Sequence, residues 1–305
     1  MTQEATMSIA KERSALSRRS FIVAGAAVLT VSRFVGIGHA SEGIHAEEAG
    51  SGSPTIIFVH GFGCSLEDWK AQLNGLSSQF TCIAIDLPGH GASAKPEAAT
   101  IEALAAAVNT VKAESGASEV ILVGHSMGVK VIREAYRQSP NGMRGLVFVD
   151  SSIYVGEQEM LIKRQRDQIA AVGFADYTKG LFAAMFVEGS DPQLKQHVIE
   201  RIKNMDPALG EELLVDSIRW EFSVGAEAMK DIKVPALVIQ STYYDSNFKR
   251  ASLKPGVRTP FMDVVQSTTP HSQIEIVLGV GHFPMIEAAD TVNNLIRDFA
   301  KRVAT

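Results

Sequence analysis

Ser126 sits between two glycines in Gly124-His125-Ser126-Met127-Gly128, with an apolar run before it and an amphipathic stretch after it. A serine hydroxyl is a weak nucleophile at neutral pH, so chemistry at this position requires a base within hydrogen-bond reach and a carboxylate that orients the base. The pattern alone is compatible with a small polar loop; its flanks decide. Residues 120–123 read as a buried strand and residues 129–137 as the start of a helix, so the serine falls on a sharp strand-to-helix turn. Such a turn is too tight for side chains beside the serine, which accounts for the glycines. It holds the hydroxyl clear of a sheet and sets the Met127 N–H at a helix N-terminus, aimed where an oxyanion would develop.

The rest of the chain supplies the elements that such a turn needs. Short β-rich apolar runs occur at residues 54–60, 80–86, 119–124, 145–150, 235–240 and 272–277. Continuous runs of this kind, without alternation, describe strands buried on both faces. Helical periodicity lies between and after them, at 100–115, 130–139 and 290–303, and the alternation predicts an α/β fold with a mostly parallel, doubly wound sheet. From 151 to 233 the periodicity is helical only, over 157–172, 174–187, 191–205 and 208–229, with breaks at Gly173, Asp191-Pro192 and Asp206-Pro207. An all-helical block inserted after the strand ending at Asp150 is expected to cap the C-terminal edge of the sheet, where ligands of open α/β sheets bind. The expected division is a leader over 1–40, a core over 41–150 and 234–305, and a helical cap over 151–233.

With this context the chain resembles the α/β-hydrolase fold superfamily, in its serine-nucleophile branch, over about residues 43–303. Three further stretches carry the resemblance. His60-Gly61-Phe62-Gly63, directly after a strand, resembles the oxyanion loop of that superfamily and implies the Phe62 N–H as a second donor beside Met127. Asp86-Leu87-Pro88-Gly89-His90-Gly91-Ala92-Ser93 resembles a turn that shapes the pocket without doing chemistry. Gly279-Val280-Gly281-His282, after the last strand, resembles the loop that carries the catalytic histidine and implies His282 as the base. The sheet departs from the usual pattern at its start, since a first strand is expected only from Gly43 to Glu48.

The acid is ambiguous. Relatives most often carry an aspartate just past the strand read here at 235–240, where this chain has Ser241-Thr242-Tyr243-Tyr244 and reaches Asp245 late, followed by a long basic stretch over 247–254. Asp150 stands instead at the tip of the 145–150 strand. It is preferred because a strand tip fixes a side chain more firmly than an extended loop; Asp245 is the alternative.

Other histidines read as structural. His60 and His125 lie inside motifs and His90 in a turn, while His39, His45, His197 and His271 belong to none, and no spacing among them resembles a zinc site. His60, Gly61, Trp69 and His125 are expected around the substrate pocket. Aromatic residues of the helical block, among them Phe182 and Trp220, are read as helix core first and substrate contacts second. No cofactor is expected.

The first forty residues differ in kind. Ser17-Arg18-Arg19-Ser20-Phe21-Ile22, an uncharged run to Val31 and Gly38-His39-Ala40 resemble a twin-arginine signal peptide with cleavage after Ala40. That run is well short of the ~20 residues that span a bilayer, so export to the periplasm or medium through the twin-arginine machinery is expected rather than a stable membrane anchor. Lys11, Arg13, Arg18, Arg19 and Arg33 stand there against Glu4 and Glu12, so removing residues 1–40 takes the formal charge from −5 to −8. So acidic a protein is a poor binder of phosphate backbones, and no nucleic-acid partner is expected. Cys64 and Cys82 fall near opposite ends of adjacent parallel strands and are expected as free thiols.

The resemblance implies hydrolysis of an ester or related acyl bond of a small, mainly apolar substrate through an acyl-enzyme. A serine nucleophile argues against dehalogenase and epoxide hydrolase chemistry. Lactonase, amidase, carbon–carbon bond hydrolase and perhydrolase share the same turn and stay open, as does a non-catalytic ligand-binding protein on this scaffold.

Overall fold

The apolar runs become strands because each has both faces covered. The computed structural model describes residues 43–244, 250–269 and 271–304; the expected leader, and Asp245, lie outside them. In chain order the strands are β1 (Ala46–Ala49), β2 (Thr55–Val59), β3 (Thr81–Ile85), β4 (Val120–His125), β5 (Met143–Val149), β6 (Ala236–Gln240), β7 (Thr242–Tyr244), β8 (Arg250–Ser252) and β9 (Gln273–Ile276). The helices are α1 (Lys70–Leu76), α2 (Ile101–Glu114), α3 (Met127–Gln138), α4 (Gln158–Val172), α5 (Phe174–Ala183), α6 (Pro192–Ile202), α7 (Pro207–Trp220), α8 (Ala226–Lys230), α9 (Pro260–Thr268), α10 (Pro284–Glu287) and α11 (Ala289–Val303).

Seven strands form one sheet in the order β1-β3-β2-β4-β5-β6-β9, parallel throughout except for the antiparallel edge pair β1 and β3. This is the expected mostly parallel α/β architecture, with β4 at the centre. Ile121, Leu122, Val123, Leu146, Val147 and Phe148 have no exposed surface. Each such side chain removed from water contributes about 1.5–3 kcal/mol, so the central strands give the C-terminal edge a rigid support. Trp69, on a 3-10 turn before α1, packs against Phe58 with the rings tilted by 38° and their centroids 5.1 Å apart, and is fully buried.

Helices α4 to α8 follow one another between β5 and β6 without an intervening strand. Two of them start as their sequences dictate: Asp191 and Asp206 accept a first-turn N–H with a proline at the first helical position. The periodicity read over 208–229 is helical throughout, with a wider turn inside it. α7 ends at Trp220 and continues through a π turn, Glu221–Gly225, into α8. Glu221 lies there between Lys130 and Arg133 of α3, both buried, so the wider turn brings one carboxylate to two cations. α6 is tied to the core by Arg201, whose guanidinium makes paired bonds of 2.7 and 3.0 Å to Asp68.

Two pieces were not anticipated. β7 and β8 form a separate antiparallel pair where an extended basic loop was expected. α9 is capped by the Thr259 hydroxyl, which accepts from the Met262 N–H, with Pro260 at its first position. No helix among the described residues is long and apolar enough to cross a membrane.

Candidate active site

The turn at Ser126 is strained, and its neighbours are glycines for a steric reason. Ser126 has φ 54° and ψ −116°, a conformation costly for a side chain bearing a Cβ. A Cβ on Gly124 would lie 2.5 Å from the Gly128 carbonyl oxygen, and one on Gly128 would lie 2.5 Å from that of Val59 and 2.6 Å from that of His60. β4, β2 and α3 therefore converge so closely that only glycine fits on either side of the serine. The Ser126 N–H is satisfied by the Val149 carbonyl at 3.1 Å, which ties the turn to the tip of β5. Met127 is the first residue of α3, so its N–H has no carbonyl four residues back to receive it.

His60-Gly61-Phe62 runs across the same turn. A Cβ on Gly61 would meet the Ser126 Cβ at 3.0 Å, so the loop backbone lies directly against the serine. His60 pins this loop. Its Nε2 accepts the Leu87 N–H at 3.0 Å, leaving the proton on Nδ1, which donates to the Gly61 carbonyl at 2.8 Å. Burial, then the nearby His90, pushes His60 well below the usual histidine range, so it is neutral and structural. Asp86 knots the turn behind it, accepting from the Leu66 and Ala92 N–H groups. Trp69 lies in the core under this loop's 3-10 turn rather than at an open surface.

Asp150 directly follows β5 with φ 39°, a second strained residue beside the first. Its carboxylate has no exposed surface and collects five donors among the described residues. Oδ1 accepts the N–H groups of Ser241 and Thr242, each at 2.8 Å. Oδ2 accepts the Thr242 hydroxyl at 2.6 Å, Arg250 Nη1 at 3.2 Å and His282 Nδ1 at 2.6 Å. Burial alone would raise the carboxyl; the bond to His282 and its charge, then Arg250 and Thr242, bring it down to about 2.

His282 completes the row, with Nε2 2.9 Å from Ser126 Oγ. Because a carboxylate can only accept, Nδ1 carries the proton toward Asp150, and Nε2 faces the serine with its lone pair. Burial, then the charge of Arg250, hold His282 down to about 4, against the pull of Asp150. Three contacts fix the main chain here. The His282 N–H donates to the Met185 carbonyl at 2.8 Å, the Gly281 N–H to Glu287 Oε1 at 3.0 Å, and His125 Nε2 to the His282 carbonyl at 2.7 Å. The His125 and His282 rings lie 4.5 Å apart. Glu287 also accepts the Ser190 hydroxyl at 2.6 Å, so the chain after α5 and the His282 loop share one carboxylate.

Of the residues singled out from sequence, the structure brings Ser126, His282 and Asp150 into one hydrogen-bonded row, with Gly61 and Met127 beside the serine. Sequence reasoning missed Ser241, Thr242, Glu287 and Arg250. The first two occupy the turn where an acid was sought, and polar residues closing an apolar strand could have been read as its donors; Arg250 sits in a basic run with nothing to mark it. Cys64 and Cys82 are free and buried. Among the described residues no group of three or more His, Cys, Asp or Glu side chains could hold a metal ion.

The chain is 28% identical over 173 residues to the dihydrolipoyllysine-residue acetyltransferase component of the acetoin cleaving system of Cupriavidus necator, a match covering 56% of this chain and 41% of that protein's own length. It is 24% identical over 265 residues to Lipase 1 of Psychrobacter immobilis, covering 81% of this chain and 77% of the lipase. A thermophilic esterase from Thermogutta terrifontis superposes with a TM-score of 0.71 at 23% identity, over 86% of this chain and 94% of the esterase. The alpha/beta hydrolase fold family matches residues 54–220, more than half of the chain, and the chain belongs to that family.

Proposed function

We propose that the protein is a serine hydrolase that cleaves an ester or related acyl bond of a small, mainly apolar substrate through an acyl-enzyme. The observation that carries this reading is the continuous row Ser126 Oγ, His282 Nε2, His282 Nδ1, Asp150 Oδ2, with gaps of 2.9 and 2.6 Å. In it Ser126 Oγ attacks the acyl carbon while its proton passes to His282 Nε2. The Phe62 and Met127 N–H groups stabilise the tetrahedral oxyanion, at on the order of 3 kcal/mol per donor. Collapse of the intermediate expels the alcohol, which takes the proton from Nε2. Water, deprotonated by the same nitrogen, then releases the acid. Asp150 keeps the imidazole in the required tautomer throughout.

Residues 151–233 act in this reading as a cap over the core formed by 41–150 and 234–305. Support comes from Ile202 and Phe182, which crowd Gly63 of the oxyanion loop, and from the Met185 carbonyl on His282. Residues 1–40 direct export through the twin-arginine machinery to the periplasm or medium. Replacing Arg18 and Arg19 by lysine should retain the precursor inside the cell, and unaltered export of that variant would refute the leader reading.

The activity is tested with the purified protein on short-chain chromogenic esters of graded acyl length. Turnover by the wild type and none by Ser126→Ala is the expected result. An inactive wild type across the series would contradict the assignment.

A further inference from the structure

Arg250 is a cation placed against the acid of the triad. It stands on β8 with a side chain only 9% exposed. Nη1 donates to Asp150 Oδ2 at 3.2 Å and to Thr242 Oγ1 at 2.7 Å; Nη2 donates to the Tyr244 hydroxyl at 2.7 Å, and the guanidinium lies 4.6 Å from the centre of the Tyr244 ring. The β7–β8 pair, in which Tyr244 is opposite Arg250, therefore delivers the guanidinium in a fixed pose.

Oδ2 is the oxygen that also receives His282 Nδ1. A cation on that oxygen has two physical effects. It restrains rotation of the carboxylate, because Oδ1 is already held by two N–H groups and Oδ2 is now held from a third direction. It also opposes a second positive charge on the imidazole bonded to the same atom. The other groups packed on His282 do not cancel this. His125 from β4 is kept neutral by burial and then by His282 itself. Glu287 from α10 spends its oxygens on the Gly281 N–H and the Ser190 hydroxyl. Met185 and Phe186, after α5, are apolar.

We propose that Arg250 is a positioning residue of the triad, which sets the Asp150 carboxylate for His282 and keeps the resting imidazole unprotonated, so that the base remains available in acidic medium. This rests on the triad assignment above. The direction of the His282 titration supports it, since the charge of Arg250 is the second cause, after burial, that lowers it. The arrangement trades base strength for availability: the imidazolium formed during attack is less stable, and the fraction of enzyme with a free base at low pH is larger.

The test is the acidic limb of kcat/KM for ester hydrolysis, followed by product chromatography, which reports the base in the free enzyme. The wild type should lose activity only as the pH falls to about 4. Arg250→Gln should move that limb upward by about one pH unit or more, so that a pH at which the wild type is near its plateau costs the variant roughly tenfold. Arg250→Lys, which keeps the charge, should keep the limb low. A uniform fall in kcat with the limb unmoved in Arg250→Gln would mean that the arginine only supports the fold, and the proposal would be overturned. If Arg250→Gln does not fold, Arg250→Met is read in its place by the same limb: moved upward it upholds the proposal, unmoved it overturns it, and a wild-type limb near 6.5, the ordinary histidine value, overturns it in either case. Asp150→Asn in the same assay separates the two claims. Undiminished turnover there removes the triad itself, whereas its collapse beside an unmoved Arg250→Gln limb removes only the role of Arg250.

Discussion

Thr242 grips both oxygens of Asp150, its N–H donating to Oδ1 at 2.8 Å and its hydroxyl to Oδ2 at 2.6 Å. Thr242 lies just past β6, the position at which relatives of this fold most often carry the acid itself. Here that turn holds the carboxylate of Asp150, at the neighbouring strand tip. Since β5 and β6 are paired in parallel, with Val149 opposite Ile239, the two positions lie only one step apart across the sheet.

The choice of acid can be read from two asparagine variants. Asp150→Asn leaves the shape and removes the acceptor that holds Nδ1 protonated, and the wrong tautomer costs a triad enzyme on the order of 10⁴ in turnover. Asp245→Asn should change kcat little. Steady-state kinetics on one ester suffices, and a collapse in Asp245→Asn with a mild effect in Asp150→Asn would transfer the role.

Stability should fall with acid well before the carboxylates titrate. His60, His90, His125 and His282 are all buried and all depressed, chiefly by burial, with His90 and His282 at about 4. Between that value and the ordinary 6.5 the unfolded chain binds protons that the native state refuses, so stability is present in full above the upper value and declines as the pH falls through the window. Asp150 contributes in the same sense lower down, its share being lost only as the pH falls from the ordinary 3.8 toward about 2. Thermal melts at a series of pH values should show Tm dropping from near neutrality toward pH 4. A flat Tm across that window would contradict the buried, neutral state of these rings.

Two glycines should respond oppositely to alanine. Gly128→Ala sets a Cβ within 2.6 Å of two backbone oxygens that cannot withdraw, so it should abolish activity and cost several kcal/mol, in the range of about 3 or more expected of backbone collisions and strain. Gly180, inside α5, has nothing within 4 Å of an added Cβ, and its alanine variant should gain about 0.5–1 kcal/mol. Denaturant unfolding compares the two.

The strands and the serine turn were legible because burial on both faces leaves uninterrupted apolar runs, and because glycine is the only residue that fits positions 124 and 128. His282 was found through the local pattern around it, not through any spacing that ties residue 282 to residue 126; only the fold brings them together. Arg250 was illegible. In a run with Lys249 and Lys254, nothing local marks Arg250 as a cation that folds inward, and that depends on the β7–β8 pairing, which joins short segments with no apolar alternation. The wider turn at Glu221 was hidden for a related reason, since the partners its carboxylate meets are a pair of cations on α3, about ninety residues away in sequence.

The central claim is that Ser126 is the group that becomes acylated, and covalent labelling tests it most directly. The purified protein treated with a serine-directed alkyl phosphonate should gain one adduct by intact mass, mapped by peptide sequencing to Ser126, with turnover lost in step and no adduct on Ser126→Ala. An unlabelled Ser126, or a Ser126→Ala variant that still hydrolyses the ester at the wild-type rate, would contradict the account.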